Sequence, residues 1–440
     1  MNRRDFNSIA LGGLAAAAIP GQWTRALFAQ QADVRVNADR INAHLTALSE
    51  FGKNPQGGVS RVAYSEFDKA ARAVVMEWMR VAKLAPTIDY AGNIIGRRAG
   101  QDVSLKPLLF GSHIDSVPEG GNYDGNVGST AAIEVAQTLA ERGITTRHPI
   151  EVVVWQNEEG GLYGSRAVSG QLTSAELKNV SSSGKTIEQG IAFIGGDVAK
   201  LDRARRQRGD IAGYFELHIE QGGTLEKEKI DIGVVEGIVG IKQWNVTVSG
   251  FQNHAGTTAM DNRHDALLAA AKFIQMVNRV VTSIPGRQVG TVGKIQAFPG
   301  APNVIPGKVT CTLELRDLDD EKVDTIYEQI GKEAKAIGDQ NGTQFAFAEL
   351  HANISAPSDA RMRGFVAEAA KGLGLTSKVM PSGAGHDAQA MAQLAPMGMI
   401  FIPSVGGISH SPKEYSMPKD IGNGANVLLR AVLAADRGPT

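Results

Sequence analysis

The sequence predicts an α/β fold, with a mostly parallel sheet in a larger domain and a smaller ferredoxin-like (βαββαβ) domain inserted into it. Three observations carry that prediction. Short apolar or β-branched runs at 107–113 and 150–155 flank a segment of helical period at 129–141, and strand, helix, strand in that order favours a parallel sheet. Between about 233 and 351 the rhythm changes to strand, helix, strand, strand, helix, strand. Beyond 351 the helix and strand alternation returns, as it does when one domain interrupts another. A length of 440 residues accommodates two or three domains.

Along the chain, Arg3 and Arg4 with Phe6 precede an uncharged run from Ile9 to Ile19, and the small residue Ala29 stands where cleavage would fall. This resembles a twin-arginine export leader over 1–29, and its apolar run is short for a bilayer span. Such leaders carry folded proteins, so the expectation is a periplasmic or exported protein that uses that machinery, with the cytoplasm as the alternative. Helical spacing follows at 38–49 and 65–85, where Ser65 reads as an N-cap with Glu66 and Asp68 in the first turn. In the insertion, strands are expected at 238–248, 290–298, 303–315 and 344–350, and helices at 263–281 and 321–337. Helices at 361–373, 387–394 and 422–435 and a strand at 397–402 complete the chain. The expected domains are therefore 30–233 with 352–440, and 234–351 between them.

Composition excludes several functions. Lys and Arg number 45 against 46 Asp and Glu, a net charge of −1, and the leader's three Arg and one Asp leave −3 for the remainder. Nothing in that balance attracts nucleic acid or an anionic membrane, and no later run resembles a membrane span. One cysteine, Cys311, against nine histidines excludes a disulfide framework and a Cys-rich zinc module, so any metal must sit on nitrogen and oxygen. The phosphate-loop ending at 183–186 lacks its leading glycine, because position 179 is Asn. The Gly125 to Gly128 stretch lacks the first glycine of a dinucleotide fingerprint, and no nucleophile-elbow Gly-x-Ser-x-Gly occurs.

What remains is a series of acids and histidines at the ends of expected elements: His113 and Asp115, Asp124, Glu158 and Glu159, Glu216 with His218, Glu220 and Gln221, then Ser409 and His410. A single core histidine is ordinarily a satisfied buried group, and a single acidic turn ordinarily a solvated one. Several together need a counter-charge, which divalent metal supplies. In the Glu158-Glu159 turn one carboxylate can ligate while the other stays free as a general base.

These residues carry a family resemblance. Gly-Ser-His113-Ile-Asp115, Asn-Tyr-Asp124-Gly, Glu158-Glu159-Gly, Leu-His218-Ile-Glu-Gln221, Asn-His254-Ala-Gly, Asn303-Val-Ile-Pro, Leu-Arg316-Asp, Gly-His386-Asp and Ser-His410-Ser follow in order from about residue 36 onward. They resemble the N-carbamoyl-L-amino-acid hydrolase and allantoate amidohydrolase group of the M20 metallopeptidase superfamily. The resemblance implies a dinuclear-metal catalytic domain and an inserted lid that also forms a homodimer. It implies two divalent ions per subunit (zinc, manganese, cobalt or nickel), with His113 and His218 on different ions, Asp124 bridging, and Glu159 and His410 completing the set. Asp115 is then expected to orient His113, and Glu158 to be the general base. His254 would steady the oxyanion, and Gln221, His254, Asn303, Arg316 and His386 would hold a small substrate bearing a free carboxylate. The implied activity is hydrolysis of the carbamoyl or ureido C–N bond of an N-carbamoyl-L-amino acid, with allantoate as an alternative substrate. An M20 aminoacylase or dipeptidase is expected to carry an acid where His218 stands, and an exported metal-binding protein has no need of Glu158.

Overall fold

The computed structural model describes residues 34–438, so the leader expected at 1–29 lies outside the described residues. Helix α1 (Ala38–Ser49) and helix α2 (Glu66–Val81) come first, and the hydroxyl of Ser65 caps α2 by accepting from Asp68 N at 3.1 Å. Strands β1 (Ala85–Ile88), β2 (Ile94–Arg98) and β3 (Leu108–His113) precede helix α3 (Asn126–Glu141) and strand β4 (Ile150–Trp155). Short helices α4 (Tyr163–Val168) and α5 (Ile187–Phe193) lead to β5 (Gly213–Ile219), α6 (Thr224–Glu228) and β6 (Ile232–Ile238). Helix α3 begins one turn earlier than its apolar spacing predicts, because Gly125, at φ +63°, turns the chain straight into it.

The second unit follows with strands β7 (Gly240–Ser249) and β8 (Asn253–His254), helix α7 (Ala266–Ser283), and strands β9 (Val289–Thr291), β10 (Ile295–Phe298), β11 (Val304–Ile305) and β12 (Lys308–Asp317). Helix α8 (Asp320–Asn341) and strand β13 (Gln344–Asn353) complete it. The chain returns through β14 (Ala356–Pro357), α9 (Ala360–Gly372), β15 (Ser377–Ser382), α10 (Asp387–Met391), β16 (Met397–Ile402) and α11 (Pro418–Arg437).

The larger sheet has nine strands in the order β1-β2-β4-β3-β5-β16-β6-β14, with β15 also on β6. Its central four strands, β4-β3-β5-β16, are parallel; β1, β2, β6 and β14 add antiparallel pairs, and β15 lies parallel to β6. The sheet is thus mixed, parallel where it matters for the site. Apolar layers cover both faces. One joins α1, α2, α3, α9 and α11 through residues such as Leu45, Met79, Val135, Val366 and Leu428. The other sets Trp155, Tyr214 and Phe401 against Val168, Ala388 and Met391. Helix α3 is buried along nearly its whole length, which its apolar and small residues on every side permit.

The smaller sheet is antiparallel, in the order β10-β12-β7-β13 with β9 on β12. It has a core of its own, where Trp244, Val246 and Leu313 meet Phe273 and Val277 of α7 and Ile326 and Ile330 of α8. Two expected strands are each divided. The 290–298 run breaks into β9 and β10. The 303–315 run breaks at Pro306 and Gly307, a residue without an N–H followed by one without a side chain. No described helix is long and apolar enough to cross a membrane.

Candidate metal centre

Parallel strands present their carboxyl ends at one edge of the sheet, and the site gathers there. His113 is the last residue of β3, Glu158 and Glu159 follow β4, His218 lies near the end of β5, and His410 sits in the loop after β16. Asp124, in the turn before α3, is the point on which they converge.

One oxygen of Asp124, Oδ1, lies 3.1 Å from His218 Nε2 and 3.4 Å from His113 Nε2. The other, Oδ2, lies 3.4 Å from His410 Nε2, which is itself 3.4 Å from Glu159 Oε2. Candidate ligand atoms of His113, Asp124 and His218 lie within 4.8 Å of one another, as do those of Asp124, Glu159 and His410. His113 and His218 both face the same Asp124 oxygen, an arrangement that suits one shared ion better than the different ions expected for them, while ligand atoms of His113 also group with Glu158 and Glu159.

The donors are prepared for cations. His113 Nδ1 lies 3.1 Å from the Asp115 carbonyl and His218 Nδ1 2.9 Å from the Ile219 carbonyl. With Nδ1 donating to those carbonyls, each Nε2 is the atom aimed at a carboxylate, protonated when metal is absent and a lone pair once it ligates one. Both Nε2 atoms and Glu159 Oε1 are buried without a hydrogen-bond partner. Among the described ion pairs, neither Lys nor Arg meets Asp124, Glu158 or Glu159. Buried imidazole nitrogens facing buried carboxylates need a shared cation between them, a proton or a metal ion, and this nitrogen and oxygen donor set fits divalent metal.

Electrostatics tell the same story. Burial and the nearby acids push Glu158 well above the carboxylate range and Glu159 up to about 8. Burial acts on Asp124 in the same direction, but His218, His113 and His410 hold it well below its usual value. The hydrogen bond to Asp124 and the charge of Glu159 raise His410 to about 9 despite its partial burial. Glu158 Oε2 stands 3.7 Å from His113 Nε2, beside the cluster.

Asp115 meets His113 twice: its backbone carbonyl lies 3.1 Å and its carboxylate Oδ1 3.6 Å from His113 Nδ1. Its carboxylate accepts from Glu158 N and Glu159 N, both at 3.2 Å, and so fixes the turn that presents the two glutamates. Gln221 is brought in, donating from Nε2 to Asp124 Oδ2 at 2.7 Å. His386 is buried edge-on against His218, ring centroids 4.4 Å apart, with Nε2 2.8 Å from Ser382 Oγ. Burial and the neighbouring His218 hold its imidazole well below the usual range, hence neutral.

Arg316, on β12, donates from Nη1 to the Gly383 carbonyl at 2.6 Å and from Nε to Glu314 at 2.7 Å. It lines a cavity of about 520 Å³ with Gln221, Met380, Pro381 and Phe401. His254 and Asn303 are not brought together with the cluster. They lie exposed on the β8–β11 ribbon of the smaller unit, where His254 Nδ1 accepts from Gly256 N at 3.0 Å and Thr257 N at 3.2 Å.

Three buried acids of the site had no role assigned from sequence. Glu216 accepts from Ser112 Oγ, Tyr214 OH and Ala388 N, and Asp387 accepts from Ser165 Oγ at 2.5 Å. Glu414 accepts from the backbone of Tyr123, Asp124 and His410. The period-2 spacing of Glu216 and His218 was the available signal for the first, since both share one face of β5.

The family model described as peptidase family M20/M25/M40 matches residues 109–434. An N-carbamoyl-L-amino-acid amidohydrolase of Pseudomonas sp. (strain NS671) is 37% identical over 408 residues, covering 91% of this chain and 99% of the relative. A ureidoglycolate hydrolase of Arabidopsis thaliana is 36% identical over 424 residues, covering 93% and 88%. Among solved structures, an amidase of the hydantoinase/carbamoylase family from Burkholderia multivorans superposes with a TM-score of 0.85 at 36% identity, over 92% of this chain and 100% of that one.

Proposed function

The chain belongs to peptidase family M20/M25/M40, in its hydantoinase/carbamoylase branch, and from that premise we propose that it hydrolyses the carbamoyl or ureido C–N bond of an N-carbamoyl-L-amino acid or related ureido acid. One observation carries the reading. Asp124 has His113 and His218 on one oxygen and His410 on the other, with Glu159 beside His410 and Glu158 beside His113.

On this reading two divalent ions, one held by His113, Asp124 and His218 and one by Asp124, Glu159 and His410, supply an acidified water and a polarised carbonyl. Glu158 takes the water's proton as its oxygen attacks the carbonyl carbon, then returns that proton to the departing nitrogen as the C–N bond breaks. For an N-carbamoyl amino acid the products are the free amino acid and carbamic acid, which falls to ammonia and carbon dioxide. Arg316, at the cavity beside Gln221, grips the substrate carboxylate with its planar fork. His254 and Asn303 reach the reacting group when segment 234–351 acts as a lid, which on this reading is also the surface of a homodimer. The Arg3-Arg4 leader exports the folded protein.

The test is turnover of a panel, namely several N-carbamoyl-L-amino acids, ureidoglycolate, allantoate, an N-acetyl amino acid and a dipeptide, with chelation and metal add-back. Metal-dependent release of ammonia from a carbamoyl or ureido substrate supports the reading. Cleavage of the N-acetyl amino acid or dipeptide alone sinks it in favour of an aminoacylase or peptidase. Metal uptake without any turnover leaves a binding protein.

A further inference from the structure

Glu414 lies in the loop between β16 and α11, four residues beyond His410, and is almost wholly buried. Its two oxygens face two different turns. Oε1 accepts from Tyr123 N and Asp124 N, each at 2.9 Å. Oε2 accepts from His410 N at 3.2 Å and lies 2.9 Å from Ser409 Oγ, which in turn lies 3.0 Å from Asp124 Oδ2. His410 is held at φ +52°, a left-handed conformation that a non-glycine residue adopts only when its surroundings impose it. The bond from His410 N to Glu414 is one such imposition. No lysine or arginine pairs with Glu414 among the described ion pairs.

The geometry points to Glu414 as a positioning residue for the second ion: one carboxylate ties the turn carrying Asp124 to the turn carrying His410 and so sets the spacing of the Asp124–Glu159–His410 group. This rests on the proposed function's assignment of two ions. The role requires a carboxylate, since every neighbour it meets is a donor. A glutamine of the same shape has one accepting end and one donating end, so it sets an N–H against an N–H at one of the two turns. Aspartate is shorter by one methylene and cannot span both. Glu414 bonds the backbone of Asp124, which both groups share, and that of His410, which belongs only to the second, so its loss falls more heavily on the second ion.

Metal-free full-length protein titrated with cobalt(II) alone, read by calorimetry and by the visible absorption of the bound ion, decides the matter without an activity assay. Wild type is expected to take up two ions. Glu414→Gln should retain one event near wild-type affinity and weaken the other by about 10–100-fold, the usual cost of losing a partner that orients a ligand. Ser409→Ala, which removes the hydroxyl link and leaves the carboxylate, should weaken that same event by less. Wild type that takes up two ions, with Glu414→Gln indistinguishable from it, overturns this inference alone. So does Glu414→Gln that weakens both events equally, or a misfolded Glu414→Gln paired with a Ser409→Ala of unchanged affinity. Wild type that takes up no cobalt overturns the reading of the site, and the inference with it.

Discussion

Glu158 and Glu159 are neighbours in sequence with different surroundings. Glu159 faces His410 across 3.4 Å, whereas Glu158 stands beside His113 at 3.7 Å, and Asp115 holds both through their backbone N–H groups. Glu158→Gln keeps the shape and removes the proton acceptor. It is expected to lower kcat by at least ~10²–10⁴-fold while leaving both ions bound, measured as turnover against metal content. Near-normal turnover with metal retained would remove Glu158 from the chemistry. At this scale the sequence was informative where a residue's type announces its use. Five metal-ligand candidates, His113, Asp124, Glu159, His218 and His410, come together in space, though the grouping of His113 with His218 needed coordinates. His254 does not join them, because it stands exposed on the β8–β11 ribbon of the smaller unit. Glu414 was illegible, because an acid in a loop announces nothing until the N–H groups aimed at it are known.

Elements were legible by period and lost where the period fails. The stretch 213–219, to which the apolar spacing assigned no element, carries Glu216 and His218 yet forms a central strand buried throughout. Gly125 to Gly128, rejected as a nucleotide fingerprint, has a packing reason instead. A Cβ at Gly128 would lie 2.1 Å from the Leu217 carbonyl, so glycine lets α3 settle onto the sheet. Helix α2 offers a test. Asp68, in its first turn, is fully buried and accepts from Tyr64 N at 2.8 Å. Burial raises its pKa from 3.8 to about 6, against the pull of Arg72. The folded protein therefore favours the protonated acid. That contribution is complete below the unfolded pKa and is lost as pH rises through about 6. At 1.36 kcal/mol per unit, wild type should lose about 2 kcal/mol relative to Asp68→Asn between pH 4 and pH 7. Denaturant unfolding of both proteins in chelator checks this, and a difference that moves the other way shows that Arg72 holds Asp68 as the carboxylate.

Among the described residues, the candidate ligand groups come from the larger unit, while the smaller sheet keeps a separate core around Trp244 and Phe273. Folding without cations leaves buried Asp124 and Glu158 beside the partly buried Glu159, with no lysine or arginine meeting them among the described ion pairs. Ions bind that arrangement only when the unit is folded, so each should stabilise it by RT ln(1 + [L]/Kd), about 2.7 kcal/mol at a hundredfold excess over Kd. For a chain of this length, with ~2 cal/mol/K of unfolding entropy per residue, that corresponds to a rise in Tm of about 3 °C per ion. Scanning calorimetry of chelated and zinc-loaded protein should show the rise in the transition of the larger unit. Any separable transition of the 240–353 unit should not move. Add-back after chelation should restore both the rise and the turnover. An unchanged Tm under zinc that nonetheless restores turnover would mean that the ions are held too weakly to relieve the buried charge. A shift confined to the smaller unit would place the ions elsewhere.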